Sequence, residues 1–145
     1  MQICQKFSLG EIDSQNGTSL LMADNIPLNI RVDGTILEAQ FTLDDGDSLI
    51  WLTENSPYDE GLHIYLLGRA DEIQDALEAG AVFAAGILEI ISEKENTVIF
   101  KFFKNLIKYK LTVENQPRVN FFLTTGWKYK SLLQKHRLIV EESKN

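Results

Sequence analysis

The chain has 145 residues, 44% hydrophobic and 24% charged, with nine glycines and three prolines. That composition suits a single globular domain with a real core and excludes collagen-like, disordered and low-complexity chains. The lone cysteine, Cys4, cannot form an internal disulfide, which excludes a disulfide-stapled scaffold and suits a reducing compartment. The net charge of −7 is unevenly spread: residues 1–100 hold 4 basic and 18 acidic residues, residues 101–145 hold 10 and 3.

Most elements read as short β runs between turn signals. Ile3–Leu9 and Ser19–Met22 are the first two, separated by Gly10 and the Ser14-Gln15-Asn16-Gly17 turn. Leu28–Val32 alternates apolar residues, and Asp33-Gly34 predicts a hairpin to a return strand over Thr35–Leu43. The Asp44-Asp45-Gly46-Asp47 turn, a strand over Ser48–Thr53, the polar loop Glu54–Gly61 and an apolar strand over His63–Leu67 follow.

The period then changes. Ile73, Ala76, Leu77 and Gly80 fall at helical spacing after Asp71, which predicts a helix from about 71 to 80 or on to about 85. A hairpin is expected over Gly86–Ser92 and Thr97–Phe103, a strand over Asn105–Val113 broken by Pro117, and another over Val119–Thr124. Tyr129, Leu132, Leu133 and His136 predict a second helix over Lys128–Arg137, with a short strand over Leu138–Val140. The expected fold is α+β: one domain over 1–145, with a mostly antiparallel curved sheet of about seven to nine strands and two helices.

No familiar catalytic signature emerges. GxGxxG, GxxxxGK[ST] and GxSxG are absent from the sequence. Cys4, His63 and His136 are one short of a four-ligand zinc set, and Asp45, Asp47 and Leu49 do not place an acidic group at the fifth position of a calcium loop. The expectation is a non-enzymatic protein with no catalytic residue, metal or cofactor. No run is long and apolar enough for a membrane helix, and Met1–Leu9 does not read as a signal peptide, so the expected location is cytoplasmic.

The expected binding surface is acidic and meets a protein, with nucleic-acid binding by a second, basic surface kept only as the alternative. The first is acidic: Asp44, Asp45, Asp47, Glu54, Asp59 and Glu60 cluster in turns around Trp51 and Tyr58, an aromatic anchor with a charged rim that suits a basic protein partner. The second is the basic third, where Phe100, Phe102, Phe103, Tyr109, Phe121, Phe122, Trp127 and Tyr129 interleave with seven cations between Lys101 and Lys130, as a nucleic-acid or phosphate-binding module would. In its small size, acidity, single domain and acidic loops Asp44–Asp47 and Glu54–Glu60, the chain resembles bacterial immunity proteins of contact-dependent inhibition systems. The resemblance implies a cytoplasmic antitoxin-like role, the occlusion of a basic nuclease-type toxin. It rests on overall character and carries no residue across by motif. The oligomeric state is left open.

Overall fold

The computed structural model describes residues 1–54, 61–80, 87–102, 106–120, 123–131 and 135–144. These residues form thirteen strands and no helix. In chain order they are β1 (Gln2–Ile3), β2 (Phe7–Asp13), β3 (Thr18–Ala23), β4 (Ile26–Asp33), β5 (Ile36–Thr42), β6 (Ser48–Thr53), β7 (Leu62–Leu67), β8 (Ile73–Ala79), β9 (Glu89–Lys94), β10 (Thr97–Lys101), β11 (Tyr109–Val119), β12 (Trp127–Tyr129) and β13 (Lys135–Glu142).

The strands build three antiparallel sheets. A six-stranded sheet runs β1-β5-β6-β7-β8-β12, a four-stranded one β13-β11-β10-β9, and a three-stranded one β2-β3-β4. The six-stranded sheet is the middle layer. Leu49, Trp51, Leu62, Ile64, Leu66, Leu77 and Trp127 pack on one of its faces against Val98, Phe100, Leu111 and Leu138 of the four-stranded sheet. Ile50, Leu52, Tyr65, Leu67 and Ala76 pack on the other face against Phe7, Leu21 and Val32 of the three-stranded sheet. Strands covered on both faces need apolar side chains at successive positions, which is why β6 and β7 are apolar runs without polar alternation. In the larger core, Trp51 meets Phe100 edge-on with centroids 5.0 Å apart, and Phe100 meets Trp127 at 5.7 Å.

The fold is therefore all-β, and both expected helices are strands. The segment expected to be a helix from 71 is β8, hydrogen-bonded to β7. Asp71 has φ +63°, a left-handed conformation that a helical first turn cannot use. Ala76 and Leu77 then face opposite cores, where a helix would have put them on one stripe. Of the segment expected to be a helix over 128–137, residues 128–129 belong to β12, which pairs with β8, residues 135–137 belong to β13, which pairs with β11, and residues 132–134 lie outside the described residues. In both places, strand pairing overrides a local period of three and four: β8 and β12 join the middle sheet, buried on both faces, and β13 joins the four-stranded sheet that packs on it. Residues 81–85, the longer version of the first helix, lie outside the described residues.

Three strand expectations are also corrected. Asp33-Gly34 does not close a hairpin, because β4 and β5 belong to different sheets. The chain crosses between layers there, with Gly34 N–H donating to Gly17 O at 2.7 Å. Pro117 does not end β11; the strand runs through it to Val119, with pairing to β13 interrupted between Val113 and Arg118. A proline has no N–H to donate, so it sits in that interruption. Of the strand expected over Val119–Thr124, only Val119 is in a strand, and residues 121–122 lie outside the described residues. The β9–β10 hairpin and the strand over Ser48–Thr53 lie where the sequence places them.

Candidate functional site

The acidic residues that sequence proximity groups together are separated by β6. Asp47 precedes this strand and Glu54 follows it. At ~3.3 Å per residue they sit roughly 20 Å apart, at opposite ends of the middle sheet. Trp51, the expected surface anchor, is fully buried in the core and cannot touch a partner. Tyr58, Asp59 and Glu60 lie outside the described residues.

At one end, the β5–β6 turn carries Asp44, Asp45 and Asp47. The turn is held by Leu43 N–H to Asp47 O at 2.8 Å, Gly46 N–H to Leu43 O at 3.0 Å and Asp47 N–H to Asp45 Oδ1 at 2.9 Å. Facing it is the β9–β10 turn, where Asn96 is tied to Val113 by two backbone-directed bonds, each 2.9 Å. A cleft of about 450 Å³ lies between them, with Asp44, Asp45, Glu95 and Arg137 among its walls and Leu43 and Val113 as apolar floor. Arg137 is already engaged: its guanidinium donates to Asp47 Oδ2 at 2.7 Å, to Asp45 Oδ2 at 3.3 Å and to Glu114 O at 2.9 Å. Asp47 is thus buried and used internally. The Asp44 side chain is 88% exposed, with the Met1 amino group 3.6 Å away, and the Asp45 side chain is 44% exposed.

At the other end, β7 and β8 turn His63 and Glu78 toward the three-stranded sheet, whose last strand residue is Asp33. His63 Nε2 lies 2.6 Å from Glu54 Oε1, and its Nδ1 is buried with no hydrogen-bond partner, 3.7 Å from Glu78 Oε2. Lys130 Nζ donates to Asp33 Oδ2 at 2.6 Å and to Glu78 Oε2 at 2.9 Å, and Lys128 Nζ lies 2.9 Å from Glu78 Oε1. Burial lowers the His63 imidazole below its ordinary value, and the Lys130 ammonium pushes the same way against the opposing pull of Glu54. The 2.6 Å contact would suit an ion pair, but with burial and Lys130 prevailing it is a neutral ring donating Nε2–H to a carboxylate. Burial would raise Glu78, but the two lysines outweigh it and hold the carboxyl below its usual range. Burial pushes the Tyr65 hydroxyl, which accepts from Asp33 N–H at 2.9 Å, well up. A cavity of about 360 Å³ reaches Glu54, His63, Glu78 and Lys128 from outside.

Sequence reading missed this second cluster because its members come from β4, β7, β8 and the ends of β6 and β12. The signal available was His63 and Glu78 flanked by apolar neighbours in strands, polar groups that a two-sided core would not tolerate without partners. Sequence reading also missed Asp75. Its buried carboxylate accepts from the backbone N–H of Ala76, Arg137 and Leu138 and lies 3.0 Å from His136 Nδ1, joining β8 to β13. His136 in turn stacks on Tyr129 with centroids 3.4 Å apart. Asp75 and His136 are both buried between the sheets, at 4% and 3% exposure.

The basic third offers no stacking surface among the described residues. Phe100, Phe102, Tyr109 and Trp127 are all buried, and Tyr129 is spent on His136. Lys110 lies 3.7 Å from Glu141. Phe103, Phe121 and Phe122 lie outside the described residues. No helix among the described residues is long and apolar enough to cross a membrane. Set against family models, curated proteins and solved structures, the chain matches none.

Proposed function

We propose that the chain is a non-enzymatic cytoplasmic binding protein that neutralises a basic, nuclease-type toxin by covering its active site, as an immunity protein does. The observation that carries this reading is the cleft between the β5–β6 and β9–β10 turns, where Asp44, Asp45 and Glu95 stand over the apolar floor of Leu43 and Val113. Three carboxylates share that wall with one cation, Arg137, which Asp47 already neutralises. A lysine or arginine side chain from a partner would lay its methylenes on the floor and its charge among the carboxylates. Both turns are braced by backbone hydrogen bonds, so little order is lost on binding. Exposed carboxylates also outnumber exposed cations over the described surface, which speeds encounter with a basic partner.

This reading keeps Asp44 and Asp45 from the residues expected to bind, adds Glu95, and releases Trp51 to the core and Asp47 to Arg137. The test is a pull-down from the source cell followed by co-expression with the basic, nuclease-type toxin domain it captures. The native protein should restore growth and co-purify, with affinity falling as salt rises. Asp44→Lys with Glu95→Lys should stay folded and lose protection. Equal protection by the reversed variant would remove the cleft from the mechanism.

A further inference from the structure

At the far end of β6 from the acidic cleft, the geometry points to a binding site for a divalent transition-metal ion, Zn²⁺ by ligand chemistry, formed by Asp33, His63 Nδ1 and Glu78, in which the ion takes the seat of the Lys130 ammonium. One ligand atom from each of these residues lies within 4.8 Å of the others. Zinc takes imidazole and carboxylate ligands at about 2.0–2.2 Å, so a tetrahedral site separates its donors by roughly 3.4 Å, and side-chain movements of about an ångström close the set.

The decisive group is His63. Its residue is 5% exposed, and Nδ1 is a buried ring nitrogen with no hydrogen-bond partner, which is costly unless something fills the place in front of it. Glu54 accepts from Nε2 at 2.6 Å, which puts the proton on Nε2 and leaves a lone pair on Nδ1 facing the two carboxylates. A carboxylate behind a ligating histidine is the usual way a protein fixes the tautomer and raises ligand basicity at a metal. The protein holds a cation at this point already, since Lys130 Nζ lies 2.6 Å from Asp33 and 2.9 Å from Glu78. Asp33, Glu54 and Glu78 carry three negative charges against Lys128 and Lys130, so one negative charge remains. Replacing the Lys130 ammonium with a divalent ion brings the cluster to neutrality. The Lys130 side chain is 14% exposed, and the cavity of about 360 Å³ that reaches His63 and Glu78 leaves room for a water as a further ligand.

The test is calorimetric titration of the native chain with ZnCl₂, beside Lys130→Met, Asp33→Asn and Glu54→Gln. His63 is too deeply packed to replace safely, and these three positions are less confined. Native protein should bind one Zn²⁺. Lys130→Met should bind roughly tenfold tighter, because no ammonium competes, and Asp33→Asn and Glu54→Gln should each bind about 10–100-fold more weakly. Native protein that takes up no Zn²⁺ at submillimolar metal overturns the proposal. So does binding that Asp33→Asn and Glu54→Gln leave unchanged, which would place the ion elsewhere, and so does unchanged affinity in Lys130→Met, which would mean that the ion does not use the ammonium's seat.

Discussion

The Arg137 guanidinium donates to the Asp47 carboxylate at 2.7 Å, linking residues 90 apart in the chain. The pair pins β13, an edge of the four-stranded sheet, to the turn that opens β6 in the middle sheet. Both side chains are largely removed from water, at 9% and 12% exposure. Removing one partner of such a pair strands the other. Asp47→Asn should cost about 3 kcal/mol, and no more because Asp45 and Glu114 O still hold the guanidinium. Urea unfolding measures it, and a loss below about 0.5 kcal/mol would mean the pair is solvated.

Trp51 is predicted to matter for stability and to be silent in binding. Its ring fills the centre of the larger core, but its Nε1–H has no hydrogen-bond partner. Trp51→Phe keeps the edge contact with Phe100 and removes the unpaired donor, so the net change should stay within about 1 kcal/mol. Trp51→Ala should cost about 4 kcal/mol through the cavity it leaves. A folded Trp51→Phe protein with weakened partner binding would contradict this placement.

Gly34 and Gly46 both have positive φ, at +113° and +92°, yet they should respond differently to alanine. A Cβ on Gly34 would come within 2.6 Å of Leu52 Cβ, in the core where the chain crosses between layers. A Cβ on Gly46 would first meet the exposed Arg69 side chain at 3.0 Å, which can shift only by loosening its Nε–H bond to Asp45 O. Gly34→Ala should therefore lose about 3 kcal/mol and Gly46→Ala about 1–2 kcal/mol, from backbone strain and the weakened Arg69 bond. Thermal unfolding of the two variants side by side gives the comparison.

Acid should weaken the metal-free fold in two stages. Folded His63 resists protonation, whereas the unfolded chain takes up that proton near pH 6.5. The unfolded state then binds more protons, so stability present above about pH 6.5 is lost as pH falls toward the folded value. Glu78, whose carboxyl is also held low, adds a second loss as pH falls below its ordinary range near 4.5. Unfolding midpoints in a chelating buffer between about pH 7.5 and pH 5 test the first stage. Lys130→Met should flatten it, because the ammonium that helps keep His63 neutral is gone. A midpoint that rises on acidification would reverse the sign argued here.

Much of the strand content was legible because turn chemistry is local. Ser48–Thr53, the β9–β10 hairpin and the turn at Asp44–Asp47 depend on residues within a few positions of one another. The apolar runs of β6 and β7 marked them as strands, but their cover on both faces came only from the stacked sheets. What could not be read was which sheet each strand joins. Helical spacing in β8 and around β12 was misleading because Ala76 and Leu77 are apolar for two different cores, and a one-dimensional pattern assigns them to one stripe.

The same reason separates the two candidate sites. Composition and charge order already implied a single domain with an acidic first two thirds and a basic last third. Folding then paired several of those charges with one another: Arg137 with Asp47, Lys130 with Asp33 and Glu78, and the exposed Lys128 with Glu78. Which carboxylates stay free to meet a partner depends on pairs 50 to 100 residues apart. Such pairs form only once strands pair and sheets stack: Lys128 meets Glu78 across β12 and β8, whereas Arg137 meets Asp47, and Lys130 meets Asp33, between sheets.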